Sequence, residues 1–210
     1  IQLSIDRLRE KYSDKLKEEK NEFSKYLETI NRQIIDIKKL VDEFSSFARM
    51  PSPIFKKINL LDVLNRSIEF YKMSHKDFNL KIKGDLQKKY FIKGDSEQLY
   101  RVFLNLIKNS MEAIDEKKQK DTNLLGKIDV EILSNNEYIV IKMLDNGAGF
   151  KDTKDMLKPY FTTKKDGTGL GLPIVSKIIT EHNGEIQFIK KSKGAEVNIY
   201  IPIIVWNKKF

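Results

Sequence analysis

The segment GTGLGL, residues 167–172, brings three glycines at alternate positions to the start of an apolar helical pattern. Pro173 falls in the first turn of the predicted helix, where a missing amide proton has little consequence because first-turn N–H groups have no intrahelical partner. Those amides, beside glycines that let a ligand approach the backbone, can bind anionic phosphates. The segment alone is a weak signal, because glycine-rich turns also occur simply where a chain bends.

Two other phosphate-binding patterns are excluded. The chain lacks the sequence G-x-x-x-x-G-K-[ST] of a P-loop. The segment also does not belong to a strand-turn-helix unit with a downstream acid, which a dinucleotide-binding fold requires. A different arrangement must therefore hold the phosphates.

A second segment, DNGAGF at residues 145–150, directly follows the predicted strand 138–144. An aspartate before Asn-Gly is most often a turn former. Here two glycines follow it, so the backbone at Gly147 and Gly149 can close over a flat ring while Asp145 accepts a hydrogen bond from an exocyclic amine. The segment therefore fits a purine as well as a turn.

Two asparagines lie four residues apart in the helical stretch LYRVFLNLIKNSMEAI. This spacing places Asn105 and Asn109 on one helix face. Two amides on a face can be ordinary surface residues. They can equally offer oxygen ligands to Mg²⁺, which prefers oxygen and binds together with phosphates.

Strands and helices interleave over residues 58–203, and several strands adjoin through short turns. This order predicts an α+β fold, a mixed sheet covered by helices on one face to give a two-layer sandwich. Asp95 and Gln98 have capping-box spacing and open a long helix that runs through about Glu116. The strand 138–144 is predicted to be more fully buried than its neighbours.

The first 50 residues have a different periodicity. Apolar residues recur at alternating spacings of four and three, which is a heptad pattern, and a polar stretch at residues 13–21 can hold a turn. We expect an antiparallel helical hairpin whose apolar stripe pairs two chains into a four-helix bundle. A single amphipathic helix lying on its own domain is the alternative. The heptad residues are Phe23, Leu27, Ile30, Ile34, Ile37, Val41, Phe44 and Ala48.

The sequence MPSP at residues 50–53 ends the hairpin, because proline removes a backbone donor and disfavours the helical region for the preceding residue. The predicted domains are therefore a dimerisation hairpin at 1–50, a linker at 51–57 and a nucleotide-binding domain at 58–210.

Composition excludes several classes of protein. The net charge of +9 is spread over scattered lysine pairs rather than a basic stripe interleaved with aromatic residues, so we predict no nucleic-acid partner. The chain has no cysteine, which excludes disulfides and thiolate metal sites. No apolar run is long enough to cross a bilayer.

Four motifs in order carry a family resemblance. NLIKNS, DNGAGF, PYFTT and GTGLGL resemble the N box, first glycine box, F box and second glycine box of sensor histidine kinase catalytic domains. These belong to the ATPase/kinase superfamily of gyrase, the heat-shock 90 chaperones and MutL, with the Bergerat-type sandwich. Residues 40–53 and 159–184 resemble the NtrY-like nitrogen-regulation branch.

The resemblance implies ATP and Mg²⁺ as cofactors. Asp145 would bind the adenine amine, and Asn109, helped by Asn105, would ligate magnesium, with residues 150–166 as a mobile lid. The implied ATP-binding residues are Asn105, Asn109, Asp145, Gly147, Gly149, Phe161, Thr163, Lys164, Gly167, Thr168, Gly169, Leu170 and Gly171.

One position separates kinases from hydrolases in this superfamily. Hydrolysing members carry a glutamate base four residues before the magnesium asparagine, and here that position is Asn105. The expected attacker is a histidine, yet neither His75 nor His182 lies in an H-E-x-x-N-P-like context on the hairpin. We therefore predict that the chain starts just beyond the phosphoacceptor, and that His182, in the last turn of a helix, interacts favourably with the helix dipole.

The predicted function is the kinase core of a two-component sensor. It would transfer the γ-phosphoryl group of Mg-ATP to a histidine upstream, and from there the phosphoryl group passes to a response-regulator aspartate. We expect a homodimer, a receiver-domain partner and the cytoplasmic part of an inner-membrane protein. The alternative is a degenerate nucleotide-binding dimerisation module without phosphotransfer.

Overall fold

The computed structural model of the chain describes residues 2–12, 20–75, 77–150, 155–162, 164 and 167–203. It divides into two compact units. Unit 1 comprises Ile1–Met50 with Thr162–Thr168, and unit 2 comprises Pro51–Phe161 with Gly169–Phe210. The domain boundaries drawn from the sequence stay a prediction.

Unit 1 contains two helices, α1 (Gln2–Tyr12) and α2 (Lys20–Ala48). They pack on each other, and Ile5 of α1 and Leu27 of α2 are buried. Of the stretch predicted to hold a turn, residues 13–19 lie outside the described residues. α2 ends before Pro51, as the MPSP sequence predicts.

The apolar heptad stripe of α2 is largely uncovered within the chain. Ile30, Ile37, Val41 and Phe44 are between 44% and 60% exposed. A row of large apolar side chains on one helix face is far more than scattered surface hydrophobicity. Among the described residues, the stripe is therefore a row of half-exposed apolar side chains.

Unit 2 alternates strands and helices. Its elements are β1 (Lys56–Asn59), α3 (Leu60–Ser74), β2 (Phe78–Gly84), β3 (Phe91–Gly94), α4 (Ser96–Lys118), β4 (Gly126–Ser134), β5 (Tyr138–Asp145), α5 (Gly171–Glu181), β6 (Glu185–Lys190) and β7 (Ala195–Pro202). In the part of the chain that the structure describes, no helix is both long and apolar enough to cross a lipid bilayer.

A five-stranded sheet with the order β2-β4-β5-β7-β6 forms the centre of unit 2. β2 runs parallel to β4, and the other neighbours are antiparallel. β1 and β3 form a separate antiparallel ribbon. The mixed sheet with helices confirms the predicted α+β two-layer fold.

One face of the sheet carries the core. Ile141 of β5 pairs with Ile132 of β4 and Ile199 of β7, and all three are at most 1% exposed. On the other face Tyr138 and Leu144 are 38% and 39% exposed. The prediction of a more fully buried β5 was therefore wrong, because helices cover only one of its faces.

Of the two side-chain interactions of the predicted capping box at the start of α4, only the one made by Asp95 forms. The Asp95 carboxylate accepts hydrogen bonds from the amides of Glu97 and Gln98, at 3.0 and 3.1 Å, as predicted. The side chain of Gln98 does not return to the Asp95 amide and instead donates to the carbonyl of Pro51 at 3.0 Å. The Asp95 amide donates to Nε2 of His182 at 2.9 Å, so a distant histidine completes the cap.

His182 is a buried neutral residue, 3% exposed, rather than a cation at the helix dipole. Its Nδ1 donates to the carbonyl of Ile178 at 2.8 Å, which leaves Nε2 as the acceptor for Asp95. Burial lowers the pKa of His182, against the opposing effects of the Ile178 hydrogen bond and the charges of Asp95 and Glu181. His182 therefore meets the end of α5 through a hydrogen bond from its neutral ring to the carbonyl of Ile178.

This lowered pKa predicts a pH-dependent stability. From pH 6.5, the ordinary pKa of histidine, down to the lowered pKa, the unfolded chain binds a proton that folded His182 does not. The free energy of unfolding should therefore fall with decreasing pH, by at most about 1.4 kcal/mol per pH unit. Urea titrations between pH 7.5 and 5.5 would measure it. The His182→Gln variant should lose most of this slope, whereas a variant at the exposed histidine, His75→Gln, should keep it. An unchanged slope in His182→Gln would contradict the assignment.

Candidate functional site

Asp145 ends β5 on the buried face of the sheet. Strand alternation places it in line with Ile139, Ile141 and Met143, and it is 6% exposed. Its Oδ1 accepts hydrogen bonds from the amide of Gly147 at 2.9 Å and from the amide of Ala195 at 3.3 Å. A carboxylate is thus fixed inside the apolar layer between sheet and helices.

Burial raises the pKa of Asp145 above its ordinary value. Hydrogen bonds from Gly147, Ser110 and Ala195 and the charge of Lys117 act in the opposite direction, because they favour the carboxylate. A further donor placed against this group would also stabilise the charged form. The site therefore suits a ligand that donates a hydrogen bond.

The loop after Asp145 lies directly on α4. A Cβ on Gly147 would fall 2.7 Å from the backbone of Ala113 and Ile114, and the amide of Ala148 donates to the Ala113 carbonyl at 2.9 Å. Gly149 has a φ of +76°. These two glycines of DNGAGF therefore have a structural reason of their own, in addition to the predicted closure over a ring.

Three groups around Asp145 were not predicted from the sequence. Ser110 hydrogen-bonds to the carboxylate, Lys117 donates to the carbonyl of Asn146 at 2.7 Å, and Gly194 packs against the carbonyl of Asp145. The sequence could have indicated Ser110, because it is a polar residue inside the apolar stripe of α4, between Ile107 and Ile114. No sequence pattern indicates Gly194, since it comes from a distant hairpin.

Asn105 and Asn109 lie half-buried on α4, one turn apart, as predicted. The Nδ2 of Asn105 donates to the carbonyl of Arg101 at 2.9 Å. Its Oδ1 lies 3.2 Å from the position that a Cβ on Gly171 would take. Among the described residues, no other atom outside the chain neighbours and helix backbone of Gly171 lies within 4 Å of that position. The structure thus brings Asn105 to the second glycine box.

The start of α5 is suited to an anion. The residue before the helix is Leu170, whose side chain makes no capping hydrogen bond, and Pro173 has no amide proton. The open position at Gly171, beside an amide oxygen, leaves room for a phosphate with a coordinated cation. Among the residues described, no group of three or more His, Cys, Asp or Glu could hold a metal ion, so a cation here would need amide and phosphate oxygens.

The F box and the second glycine box meet in unit 2. The amide of Tyr160 donates to the carbonyl of Gly169 at 3.1 Å, and both residues have positive φ, 67° and 69°. The amide of Phe161 donates to the carbonyl of Lys158 at 3.2 Å. A glycine is needed at 169, since a Cβ there would fall 2.5 Å from the carbonyl carbon of Tyr160.

Of the described residues in unit 1, three are predicted site residues: Lys164, Gly167 and Thr168. The Lys164 amide donates to the hydroxyl of Thr162 at 3.1 Å, and the Gly167 amide donates to the carbonyl of Lys164 at 3.3 Å. The hydroxyl of Thr168 donates to the carboxylate of Glu43. Thr163 lies outside the described residues, as do 151–154 and 165–166 of the predicted lid.

Residues 94–204 match the family described as histidine kinase-, DNA gyrase B- and HSP90-like ATPases. This match spans more than half of the chain. The chain belongs to that family. The predicted family, with its ATP-binding domain, is confirmed.

Relatives carry the match into the N-terminal helices. The nitrogen regulation protein NtrY of Azorhizobium caulinodans is 34% identical over 92% of this chain and 25% of its own length. An NtrY-like sensor histidine kinase of Rickettsia felis is 34% identical over 95% of this chain and 32% of its own. The chain therefore spans about a quarter to a third of these relatives, and the predicted NtrY-like resemblance is confirmed.

A solved structure agrees on the fold. The histidine kinase ThkA, in complex with the response regulator TrrA, superposes with a TM-score of 0.65 at 20% identity. The superposition covers 86% of this chain and 51% of that one. At this level of identity the likeness supports the architecture only.

Alanine substitution at two glycines of the ATPase domain should have very different effects on stability. Among the described residues, the new Cβ of Gly171→Ala meets only the Asn105 side chain, so the free energy of unfolding should be nearly unchanged. In Gly194→Ala the new Cβ would overlap the carbonyl of Asp145 at a φ of +80°, and the loss of stability should be about 3 kcal/mol or more. Chemical denaturation of both variants checks this. A Gly194→Ala protein as stable as the parent would contradict the packing around Asp145.

Proposed function

We propose that this chain is the ATP-binding kinase core of a sensor histidine kinase in a two-component system. In this proposal it holds Mg-ATP so that the γ-phosphoryl group passes to a histidine of the full-length protein and then to a response-regulator aspartate. Family membership and the names of the relatives support the kinase class. The regulator partner has support from the ThkA–TrrA complex.

One arrangement carries the proposal: helix α4 connects the carboxylate at one end of the site with the open helix start at the other. Ser110 hydrogen-bonds to Asp145, and Asn105, on the same helix, faces Gly171. Asp145 would accept from the exocyclic amine of adenine, with Gly147 and Gly149 lining the ring. The amides near Gly169, Leu170 and Gly171, with Gly167 and Thr168 preceding them, would bind the phosphates.

Magnesium is assigned to Asn109 with Asn105. When bound, the ion would draw charge from the β- and γ-phosphate oxygens, which is the main requirement of phosphoryl transfer. The chain's own contribution is orientation: the hydrogen bond from Asn105 to Arg101 fixes which way its amide oxygen points. Lys164 is proposed as a further phosphate contact, and Phe161 and Thr163 as neighbours of the nucleotide.

Transfer to a histidine is favoured over hydrolysis. An asparagine amide cannot take a proton from water, so Asn105 gives the site no general base at that position. His182 is unsuited as the phosphoacceptor, because it is buried and both ring nitrogens are engaged. His75 lies after α3 and outside the hairpin, so the proposed acceptor is a histidine outside this chain.

We further propose a homodimer through the apolar stripe of α2, and attachment to the inner membrane through segments beyond these residues, with the chain itself in the cytoplasm. The exposed heptad positions support the dimer.

The second candidate function, a nucleotide-binding dimerisation module without phosphotransfer, would have the same dimer interface and the same nucleotide site. Radiolabelled ATP with magnesium and a hairpin peptide that carries the acceptor histidine separates the two, since only a kinase labels the peptide.

Asp145 should set the base specificity. Guanine presents a carbonyl oxygen where adenine presents its amine, so the parent should bind ATP at least about a hundredfold more tightly than GTP. The Asp145→Asn variant should bind ATP about tenfold or more weakly than the parent. Its preference for ATP over GTP should also be smaller, because an amide can donate a hydrogen bond to the guanine oxygen. Calorimetry with non-hydrolysable analogues measures both affinities.

The Asn109→Ala variant tests the magnesium assignment and is the counterpart of Asp145→Asn. It should lose the magnesium-dependent part of nucleotide affinity and keep the preference for adenine. If Asp145→Asn retained the full preference for ATP, or Asn109→Ala the full magnesium dependence, the corresponding assignment would be wrong.

The dimer makes a separate prediction. Val41→Glu places a charge in the apolar stripe and should shift the chain toward monomer, whereas Lys38→Glu, a glutamate at an exposed position of the same helix outside the heptad series, should not. Light scattering after size exclusion measures both. Equal masses for the two variants would show that the stripe is not the dimer interface.

A further inference from the structure

Residues 51–55 are held to the ATPase domain by three contacts that we call the linker latch. The carbonyl of Pro51 accepts from Nε2 of Gln98 at 3.0 Å, and the amide of Ile54 donates to Oδ2 of Asp95 at 2.8 Å. The ring of Phe55 stands edge-to-face against His182, with centroids 5.1 Å apart. The latch thus joins a segment next to the hairpin in sequence to the core of unit 2.

Two of the three latch contacts are directional hydrogen bonds. The side chain of Ile54 is 69% exposed, so its position rests on its amide hydrogen bond to a carboxylate. Among the described residues, the buried Oε1 of Gln98 has no hydrogen-bond partner, which is a costly arrangement. Gln98 therefore contributes through its donor to Pro51.

The latch lies where α4 begins and α5 ends. Asp95, before the first residue of α4, donates its amide to His182, which follows the last residue of α5. The opposite contact lies further along the same pair, where Asn105 of α4 faces Gly171 at the start of α5. The two helices therefore run antiparallel, with the end of α5 bonded to the residue before α4 and the start of α5 beside the middle of α4.

The distance between the two ends is short. Asn105 is ten residues beyond Asp95, and Gly171 is eleven before His182. At 1.5 Å per residue, both helices span about 15 Å between latch and glycine box. Packed helices over this length can transmit strain from one end to the other, because close-packed protein interiors have low compressibility.

We propose that the linker latch and the nucleotide site are coupled through the α4–α5 pair, with His182, Gln98 and Asp95 as positioning residues. Closing the latch sets the separation of the helix ends, and hence the place of Asn105 relative to Gly171. This inference rests on the proposed nucleotide site. Because coupling is reciprocal, nucleotide binding must tighten the latch by the same factor that the latch tightens nucleotide binding.

Hydrogen exchange on the unaltered chain is the first test. Adding magnesium and a non-hydrolysable ATP analogue should slow exchange of the Ile54 amide about fivefold or more, since typical couplings are of that order. A purely structural latch would leave that amide unchanged while amides near Gly171 gain protection. Such a result would overturn the coupling and leave the proposed function standing.

The second test uses a matched pair at one exposed position. Ile54→Pro removes the donated proton, whereas Ile54→Ala keeps it and deletes only the side chain. The proline variant should bind the analogue about fivefold more weakly than the alanine variant. Gln98→Met, which removes the donor to Pro51, should act in the same direction. Equal affinities across the three variants would overturn the coupling, and an unaltered chain that binds no analogue would instead overturn the proposed function.

Discussion

The carboxylate of Asp145, buried between sheet and helices, is the constraint on which the rest of the ATPase domain depends. A carboxylate without partners in such a place is strongly unfavourable, and each hydrogen bond to it offsets part of that cost. The donors come from three separate parts of the chain: the loop at Gly147, helix α4 at Ser110 and strand β7 at Ala195. The sheet, the helix and the loop must therefore be in place together before the group is satisfied.

Helix α4 then fixes where everything else lies. Its Ala113 carbonyl anchors the loop after Asp145, its Lys117 binds the carbonyl of Asn146, and its Asn105 faces Gly171. These contacts occur over about three and a half turns of one rigid element. The separation between the carboxylate and the start of α5 is consequently set by helix geometry rather than by loops, which is what a ligand with a base at one end and phosphates at the other requires.

Local patterns in the sequence predicted the parts of the structure that local physics decides. Heptad spacing predicted α2, the Asp95 cap predicted the start of α4, and the apolar run before Asp145 predicted the strand that this residue ends. The failures involve distant partners. The capping box pointed Gln98 at Asp95, but Pro51 takes its donor, and His182 completes the cap from 87 residues away. The exposed face of β5 was missed because helix coverage is a property of the whole layer.

Distant partners also decide the protonation state of His182. A histidine in the last turn of an exposed helix gains from being protonated, because the carbonyls there are partly negative. At this helix end Nδ1 already donates to Ile178, and Nε2 faces an amide proton, so a second ring proton would meet a donor instead of an acceptor. Burial adds to the penalty, since it disfavours the charged ring. A cation would open the contact between the two helices, and the neutral tautomer is the form that lets α4 begin where α5 ends.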